Sequence, residues 1–197
     1  MCDDIFAKEF KKNNLPSPSI SYKSSIVTDN VSFSESIVEI TNKRRARHGA
    51  NPVSWNSNLA DDALNWAKNC FFEHSSYDYG ENLALGGLGQ SGASLADRWY
   101  SEEACKYDYN KPGFSLKDTG HFSQVLWKGT TQIGCALVTK NDHCPNGIPY
   151  DNTAGGRSAD AFLVCEYYPQ GNFRGQYPNN VAIPDPPFQC SGNKLLN

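Results

Sequence analysis

Residues 159–168, ADAFLVCEYY, form an apolar and aromatic run, and they decide the fold together with residues 132–140, QIGCALVTK. In the earlier run Ile133, Cys135 and Leu137 alternate with polar or small residues, which is typical of a strand. The stretch between them, 141–158, is rich in Gly, Asn, Asp and Pro. The sequence therefore predicts an antiparallel strand pair joined by a long loop.

Helical patterns precede this strand pair. Ser32-Phe33-Ser34-Glu35 has the form of a capping box, with helical spacing after it and Gly49 available to end the helix. A second helix is predicted from one apolar stripe, and two more are predicted over about 94–102 and 119–127. Helices combined with a few antiparallel strands indicate an α+β domain. The stripe of the second helix consists of Leu59, Ala63, Trp66, Ala67 and Cys70.

The two ends of the chain lack such periodicity. Residues 1–31 are predicted to be an N-terminal extension, 32–177 the folded domain and 178–197 a proline-rich C-terminal tail. The start, Met1-Cys2-Asp3-Asp4, does not have the pattern of a signal peptide, so we expect a mature form of a secreted chain. Asn30-Val31-Ser32 is a glycosylation sequon and predicts a glycoprotein.

Composition limits the function classes. The 197 residues are 39% hydrophobic, and no apolar run is long enough for a transmembrane segment. A net charge of −3 gives no reason to expect nucleic acid as a partner. The basic cluster at 43–47, KRRAR, is interpreted as a solvated helix end. Seven cysteines are many for a reducing compartment and favour an extracellular protein.

Two polar residues stand out on the predicted helices. Glu102 follows Leu95 and Trp99 on a stripe that should face the core, where a charge is costly unless it is paired or coordinated. His121 falls in the first turn after Thr119, where the helix dipole favours a neutral ring that can accept a hydrogen bond or bind a metal. Each residue also has a purely structural interpretation, and together they indicate a candidate site.

Five short strings, taken in order, resemble signatures of the CAP superfamily, which includes cysteine-rich secretory proteins, venom allergens, plant pathogenesis-related class 1 proteins and sterol-exporting yeast proteins. The resemblance covers roughly residues 32–177 and is strongest to the fungal members. The strings are FEHS at 72–75, GENLA at 80–84, RWYSE at 98–102, GHFSQVLW at 120–127 and FLVCEYYPQGN at 162–172.

The resemblance implies a three-layer α-β-α sandwich with a central antiparallel sheet. It also implies that His74, Glu81, Glu102 and His121 face one cleft and could bind a divalent metal, zinc or magnesium, which would not be obligatory. A buried polar network without metal is the alternative.

The resemblance further implies two disulfides, Cys70–Cys135 and Cys144–Cys165. Cys2, Cys105 and Cys190 are left, and an odd count leaves one thiol free or intermolecular. Among these three, we expect Cys2–Cys190, because that bond would join the two ends.

A further motif runs from Tyr107 through Tyr109, Pro112 and Gly113 to Phe114. Its aromatic spacing resembles the sterol-binding loop of yeast-type CAP proteins. A Pro-Gly turn with aromatic side chains would form an apolar lip for a flat ring system. The alternative is that both tyrosines pack inward and only Phe114 is exposed.

These observations favour a secreted protein that binds or exports a small lipid, a sterol or a fatty acid, in host interaction or virulence. A metal-dependent hydrolase or peptidase is an alternative, although the HExxH motif of zincins is absent from the sequence. An extracellular effector that binds a protein target is a second alternative. No catalytic residue is predicted.

Overall fold

The computed structural model describes residues 32–113, 116–150 and 157–196. No helix in these ranges is both long and apolar enough to cross a membrane. Its helices are α1 (Phe33–Ala46), α2 (Ser57–Ala67), α3 (Gly92–Ser101), α4 (Leu116–Leu126) and the short α5 (Tyr177–Asn180), and a 3₁₀ turn, Ala104–Lys106, follows α3.

The central sheet has four strands in the order β1-β3-β6-β2. The predicted pair β3–β6 is antiparallel, and so is β2–β6, which makes β2 an edge strand. The short β1 pairs with β3 in parallel, so the sheet is mixed rather than wholly antiparallel. The strands of this sheet are β1 (Ser54–Trp55), β2 (Gly80–Gly86), β3 (Gln132–Thr139) and β6 (Ala161–Tyr168).

Two small hairpins are the other strand pairs among the described residues. The first, β4 (Ile148–Pro149) with β5 (Ser158–Ala159), lies in the predicted loop between the strand pair. The second, β7 (Cys190–Ser191) with β8 (Lys194–Leu195), lies near the C-terminus.

Two hydrophobic clusters cover the two faces of the sheet and make it the middle layer of an α-β-α sandwich, as expected. One cluster contains core residues of α1, α3 and α4 and includes Cys135, Cys165 and Tyr167. The other contains Ala63 and Ala67 of α2. Alternate residues of β6 enter the two clusters, because successive side chains of a strand point to opposite faces.

Helix α1 begins as the sequence predicts but ends differently. Ser32 and Glu35 form the capping box. The basic cluster is not a solvated helix end, because Arg45 is fully buried and Arg44 pairs with Asp97 on α3. The Arg45 guanidinium donates to the backbone carbonyls of Asn51, Val125, Trp127 and Thr130, so it ties the end of α1 to the end of α4.

The disulfides join Cys70 to Cys144, Cys135 to Cys165 and Cys105 to Cys190. All four cysteines predicted to be bonded are bonded, but the predicted pairs are wrong. Cys135 and Cys165 are direct cross-strand partners in one cluster, whereas Cys70 and Cys144 belong to the cluster on the opposite face of the sheet.

The expected Cys2–Cys190 bond is also wrong, because Cys190 is bonded to Cys105. Cys2 and the Asn30 sequon lie outside the described residues.

The C-terminal residues pack on the domain. Val181 and Pro184 are buried, and the ring of Phe188 lies against those of Tyr100 and Phe122. We call residues 182–196 the C-terminal strap. The disulfide Cys105–Cys190 fixes this strap to the 3₁₀ turn after α3.

Candidate functional site

Two histidine–carboxylate pairs lie beside the edge strand β2. His74 Nδ1 is 2.5 Å from Glu81 Oε1, and His121 Nδ1 is 2.6 Å from Glu103 Oε1. Asn82, the residue after Glu81, donates its side-chain amide to the backbone carbonyl of His121. The neighbouring residues Glu81 and Asn82 therefore contact one pair each.

In the first pair an exposed imidazole meets a shielded carboxylate. The side chain of His74 is 65% exposed and that of Glu81 is 6% exposed. Glu81 also accepts from the backbone amide of Ser75. Burial alone would raise the pKa of Glu81, but hydrogen bonds from His74 and Ser75 outweigh burial and lower it. The hydrogen bond to Glu81 raises the pKa of His74, although burial of the ring acts in the opposite direction. At neutral pH the ionised Glu81 holds the ring in place.

The second pair corrects one sequence prediction. Glu102 caps the C-terminus of α3, where its side chain is 55% exposed and binds Arg98 one turn earlier. The predicted stripe continued past the last helical residue, Ser101, so it placed the wrong carboxylate toward the core. The next residue, Glu103, binds His121 instead.

Glu103 also supports the helix that carries His121. Thr119 leaves helical backbone angles and kinks α4 there, close to the predicted boundary. Glu103 Oε2 accepts from the backbone amide of Phe122, 2.9 Å away, just after this kink. A carboxylate at the start of a helical segment is favoured by the helix dipole. The same carboxylate therefore orients His121 and caps the restarted helix.

Trp99 packs beside the second pair. Its ring stacks on His121 with centroids 6.3 Å apart, and its indole N–H donates to the backbone carbonyl of Leu83. Ser123 does not pair with His121 among the described residues, because its hydroxyl binds Asn172 and the carbonyls of Thr119 and Gly120.

The four residues predicted as metal ligands do not form one set. Within the described ranges, no group of three or more His, Cys, Asp or Glu residues is placed to hold a metal ion. The structure shows two separate pairs, and one of them uses Glu103 in place of Glu102. The geometry therefore does not fit the predicted zinc or magnesium site.

Sequence reasoning missed a third carboxyl group at this edge. Glu166 on β6 is fully buried and lies directly opposite Glu81 in the strand register. Burial, and next the negative charge of Glu81, raise the pKa of Glu166 well above its usual range. The sequence did carry a signal, since Glu166 follows Phe162 and Val164 at period two on one face of the strand.

The aromatic segment forms a second candidate site. Tyr107 is 7% exposed, and its ring lies 4.8 Å from that of Tyr109 and 5.1 Å from that of Phe122. Within the part of the chain that is described, the buried hydroxyls of Tyr107 and Tyr109 have no hydrogen-bond partner. Burial raises the pKa of both phenols, so both hydroxyls keep their protons.

The turn after these tyrosines depends on a glycine. Gly113 has φ of +76°, and a Cβ there would meet the ring of Tyr177 at 2.4 Å. The turn is therefore held against α5, and Pro112 beside it is half-buried. Phe114, the last aromatic residue of the predicted lipid loop, lies outside the described residues.

The protein-family comparison matches residues 38–167 to the CAP, or cysteine-rich secretory protein, family. This chain belongs to the CAP family. It is 39% identical to protein PRY2 of Saccharomyces cerevisiae over 154 residues, which are 76% of this chain and 41% of the yeast protein. It is 38% identical to Repressed by EFG1 protein 1 of Candida albicans over 154 residues, which are 75% of this chain and 50% of that protein.

The chain thus spans half or less of the length of these two fungal relatives. Among solved structures, venom allergen-like protein 4 of Schistosoma mansoni matches with a TM-score of 0.54 at 20% identity, covering 78% of this chain and 97% of that one. At that identity the likeness shows the shared CAP fold.

Proposed function

We propose that this CAP protein is a secreted carrier that binds a small lipid, a sterol or a fatty acid, at the segment 107–114. The observation that carries the proposal is the state of the two tyrosines. Both hydroxyls are buried, and neither has a partner among the described residues. A buried hydroxyl without a hydrogen bond costs free energy, which a polar group of a bound lipid would recover.

The surroundings of these hydroxyls suit an apolar ligand. Tyr107 and Phe122 belong to the hydrophobic cluster shared by α1, α3 and α4. The ring of Tyr109 packs against this cluster. A ligand site of this kind typically combines an apolar lining with few polar groups that fix orientation. The turn at Gly113 packs against the ring of Tyr177.

The disulfides support a secreted location. They join six of the seven cysteines of the chain. Such bonds persist in oxidising compartments and are rare in the cytosol. We include glycosylation at Asn30 in the proposal, and intact mass before and after enzymatic deglycosylation of the secreted protein tests it.

A binding assay against a lipid panel tests the proposal. The panel contains a radiolabelled sterol and a radiolabelled fatty acid, each titrated into the wild type and Phe114→Ala. If the Phe114 ring lies against the ligand, its loss weakens binding by about 10-fold or more. Phe173→Ala is the matched control, because Phe173 is an exposed ring in another segment. Absence of saturable binding of either lipid by the wild type overturns the proposal.

A further inference from the structure

The C-terminal strap places an aromatic ring in the neighbourhood of the proposed lipid segment. The ring of Phe188 lies 5.7 Å from His48, 5.8 Å from Tyr100 and 6.2 Å from Phe122, measured between centroids. Phe122 also contacts Tyr107, at 5.1 Å. Phe188 and the proposed lipid segment therefore share one aromatic neighbour.

Specific polar contacts hold the strap in this position. The backbone carbonyl of Ala182 lies 2.6 Å from His48 Nδ1, so this nitrogen carries the ring proton, and Nε2 accepts from the Tyr100 hydroxyl at 3.1 Å. The backbone amide of Asp185 donates to the carbonyl of Arg47. Beyond Phe188, the disulfide Cys105–Cys190 connects the strap to a residue two positions before Tyr107.

The tyrosine hydroxyls of the same hydrophobic cluster are a second observation. The rings of Tyr107 and Tyr109 are in contact, with centroids 4.8 Å apart, and the rings of Tyr100 and Tyr107 both pack on Phe122, at 5.4 Å and 5.1 Å. Of these three tyrosines, only Tyr100 has a hydrogen-bond partner for its hydroxyl within the described ranges. The Tyr100 ring thus lies against Phe188, and the two hydroxyls without a partner in the described ranges belong to rings of the same hydrophobic cluster.

We propose that the position occupied by Phe188 is the ring site for a lipid with a flat apolar ring system and a single hydroxyl, a sterol, and that the C-terminal strap is an intramolecular competitor for it. This inference rests on the proposed function and specifies its ligand class. A fatty acid fits less well, because its buried carboxylate would need a cation or several donors, whereas a sterol hydroxyl pairs with a neutral phenol.

Competition within one chain has a defined consequence. A ligand that binds only when Phe188 has moved away can bind only the fraction of molecules in which the site is open. Its apparent dissociation constant is the intrinsic value divided by that fraction, so its apparent affinity is lower. The disulfide keeps the competitor close and so keeps its effective concentration high. Removal of the ring or of the tether therefore raises the affinity for the sterol.

The experiment measures equilibrium binding of a radiolabelled sterol to the wild type, to Phe188→Ala and to Ile183→Ala. Ile183 belongs to the same strap and is 66% exposed, so it is the matched control. We expect Phe188→Ala to bind the sterol about 10-fold or more tightly than the wild type does, and Ile183→Ala to match the wild type. A double variant, Cys105→Ser with Cys190→Ser, keeps the Phe188 ring but removes the disulfide, and it should also bind the sterol more tightly than the wild type does. It serves as the test if Phe188→Ala does not fold.

Two further measurements define the ligand. Tyr107→Phe in the Phe188→Ala background removes one hydroxyl and should weaken sterol binding, and the methyl ether of the same sterol should bind more weakly than the free alcohol. If Phe188→Ala increases affinity for a fatty acid but not for the sterol, the proposed ligand class is wrong.

The outcomes separate this inference from the proposed function. Equal or weaker sterol binding by folded Phe188→Ala and by the double cysteine variant overturns the strap as competitor and leaves the lipid-carrier proposal intact. Absence of sterol binding by every variant, with fatty-acid binding retained, overturns the sterol site alone. Absence of both ligands overturns the carrier proposal as well.

Discussion

Glu81 on β2 and Glu166 on β6 are direct cross-strand partners, and Glu166 is fully buried. Two carboxylates in this arrangement cannot both ionise without a large cost in free energy. Glu81 is held ionised by His74 and Ser75, so Glu166 retains its proton. At neutral pH this pair of carboxyl groups therefore carries one negative charge, on Glu81.

Replacement of this buried acid by its neutral analogue should stabilise the protein. The pKa of Glu166 is raised in the folded state above the value of 4.5 that it has when unfolded. The unfolded state therefore loses this proton first, and the free energy of unfolding falls as pH rises above about 4.5. We expect Glu166→Gln to remove this loss, with a gain of up to about 1.4 kcal/mol per pH unit above that point. Urea unfolding at pH 5 and pH 8 measures it.

Glu39→Gln on the exposed face of α1 is the control for this change. It should leave the difference between the two pH values unaltered. An equal effect of both substitutions would mean that Glu166 is ionised in the folded protein.

His48 should make stability depend on pH with the opposite sign. The pKa of His48 is lowered from 6.5 to about 4, mainly because the ring is buried. Between these values the unfolded state binds a proton that the folded state does not, so the free energy of unfolding falls as pH drops from 6.5 toward 4. This titration gives the free energy of unfolding a slope of up to about 1.4 kcal/mol per pH unit, and we expect that slope to be absent in His48→Gln. Denaturant unfolding between pH 4 and pH 7 tests it, with exposed His143→Gln as control.

Arg45 should be among the most sensitive positions for stability. Arg45→Met removes the side-chain donor of four backbone carbonyls, of which that of Trp127 keeps a second donor, the backbone amide of Thr130. Since buried carbonyls without a donor are costly, we expect a loss of about 3 kcal/mol or more in the free energy of unfolding. Lys43→Met in the same basic cluster is exposed and should change stability little. Similar losses for both variants would contradict the buried role of Arg45.

The neighbouring residues Glu102 and Glu103 provide a matched comparison. Glu103→Gln weakens the contacts to His121 and to the amide of Phe122, so we expect it to cost about 1–2 kcal/mol. Glu102→Gln removes only a surface pair with Arg98 and should cost less than about 0.5 kcal/mol. Thermal unfolding ranks the two, and the reverse ranking would restore Glu102 as the partner of His121.

Local patterns in the sequence predict the fold well. The capping box at Ser32 starts α1, and the two apolar runs pair as antiparallel strands. The family resemblance supplied the sandwich. The parallel partner β1 has only two residues, too few to show a period.

The errors arise where an outcome depends on tertiary geometry. Glu102 follows the helical stripe, but α3 ends one residue before it, and a helical period has no meaning past a helix end. The disulfide pairs depend on which face of the sheet each cysteine occupies. Cys70 and Cys144 lie outside the predicted strands, so no alternating pattern assigns either of them to a face. Arg45 resembles its basic neighbours in sequence, and only the packing of α1 on α4 buries it.

The most direct test of the lipid-carrier proposal is equilibrium binding of a radiolabelled sterol to the purified wild-type protein with its disulfides intact, at increasing sterol concentration. We expect saturable binding of one sterol per chain, which unlabelled sterol displaces and which Tyr109→Phe weakens because that hydroxyl is buried without a partner in the described structure. Saturable binding that Tyr109→Phe and Tyr107→Phe both leave unchanged, or no saturable binding of any lipid, would contradict it.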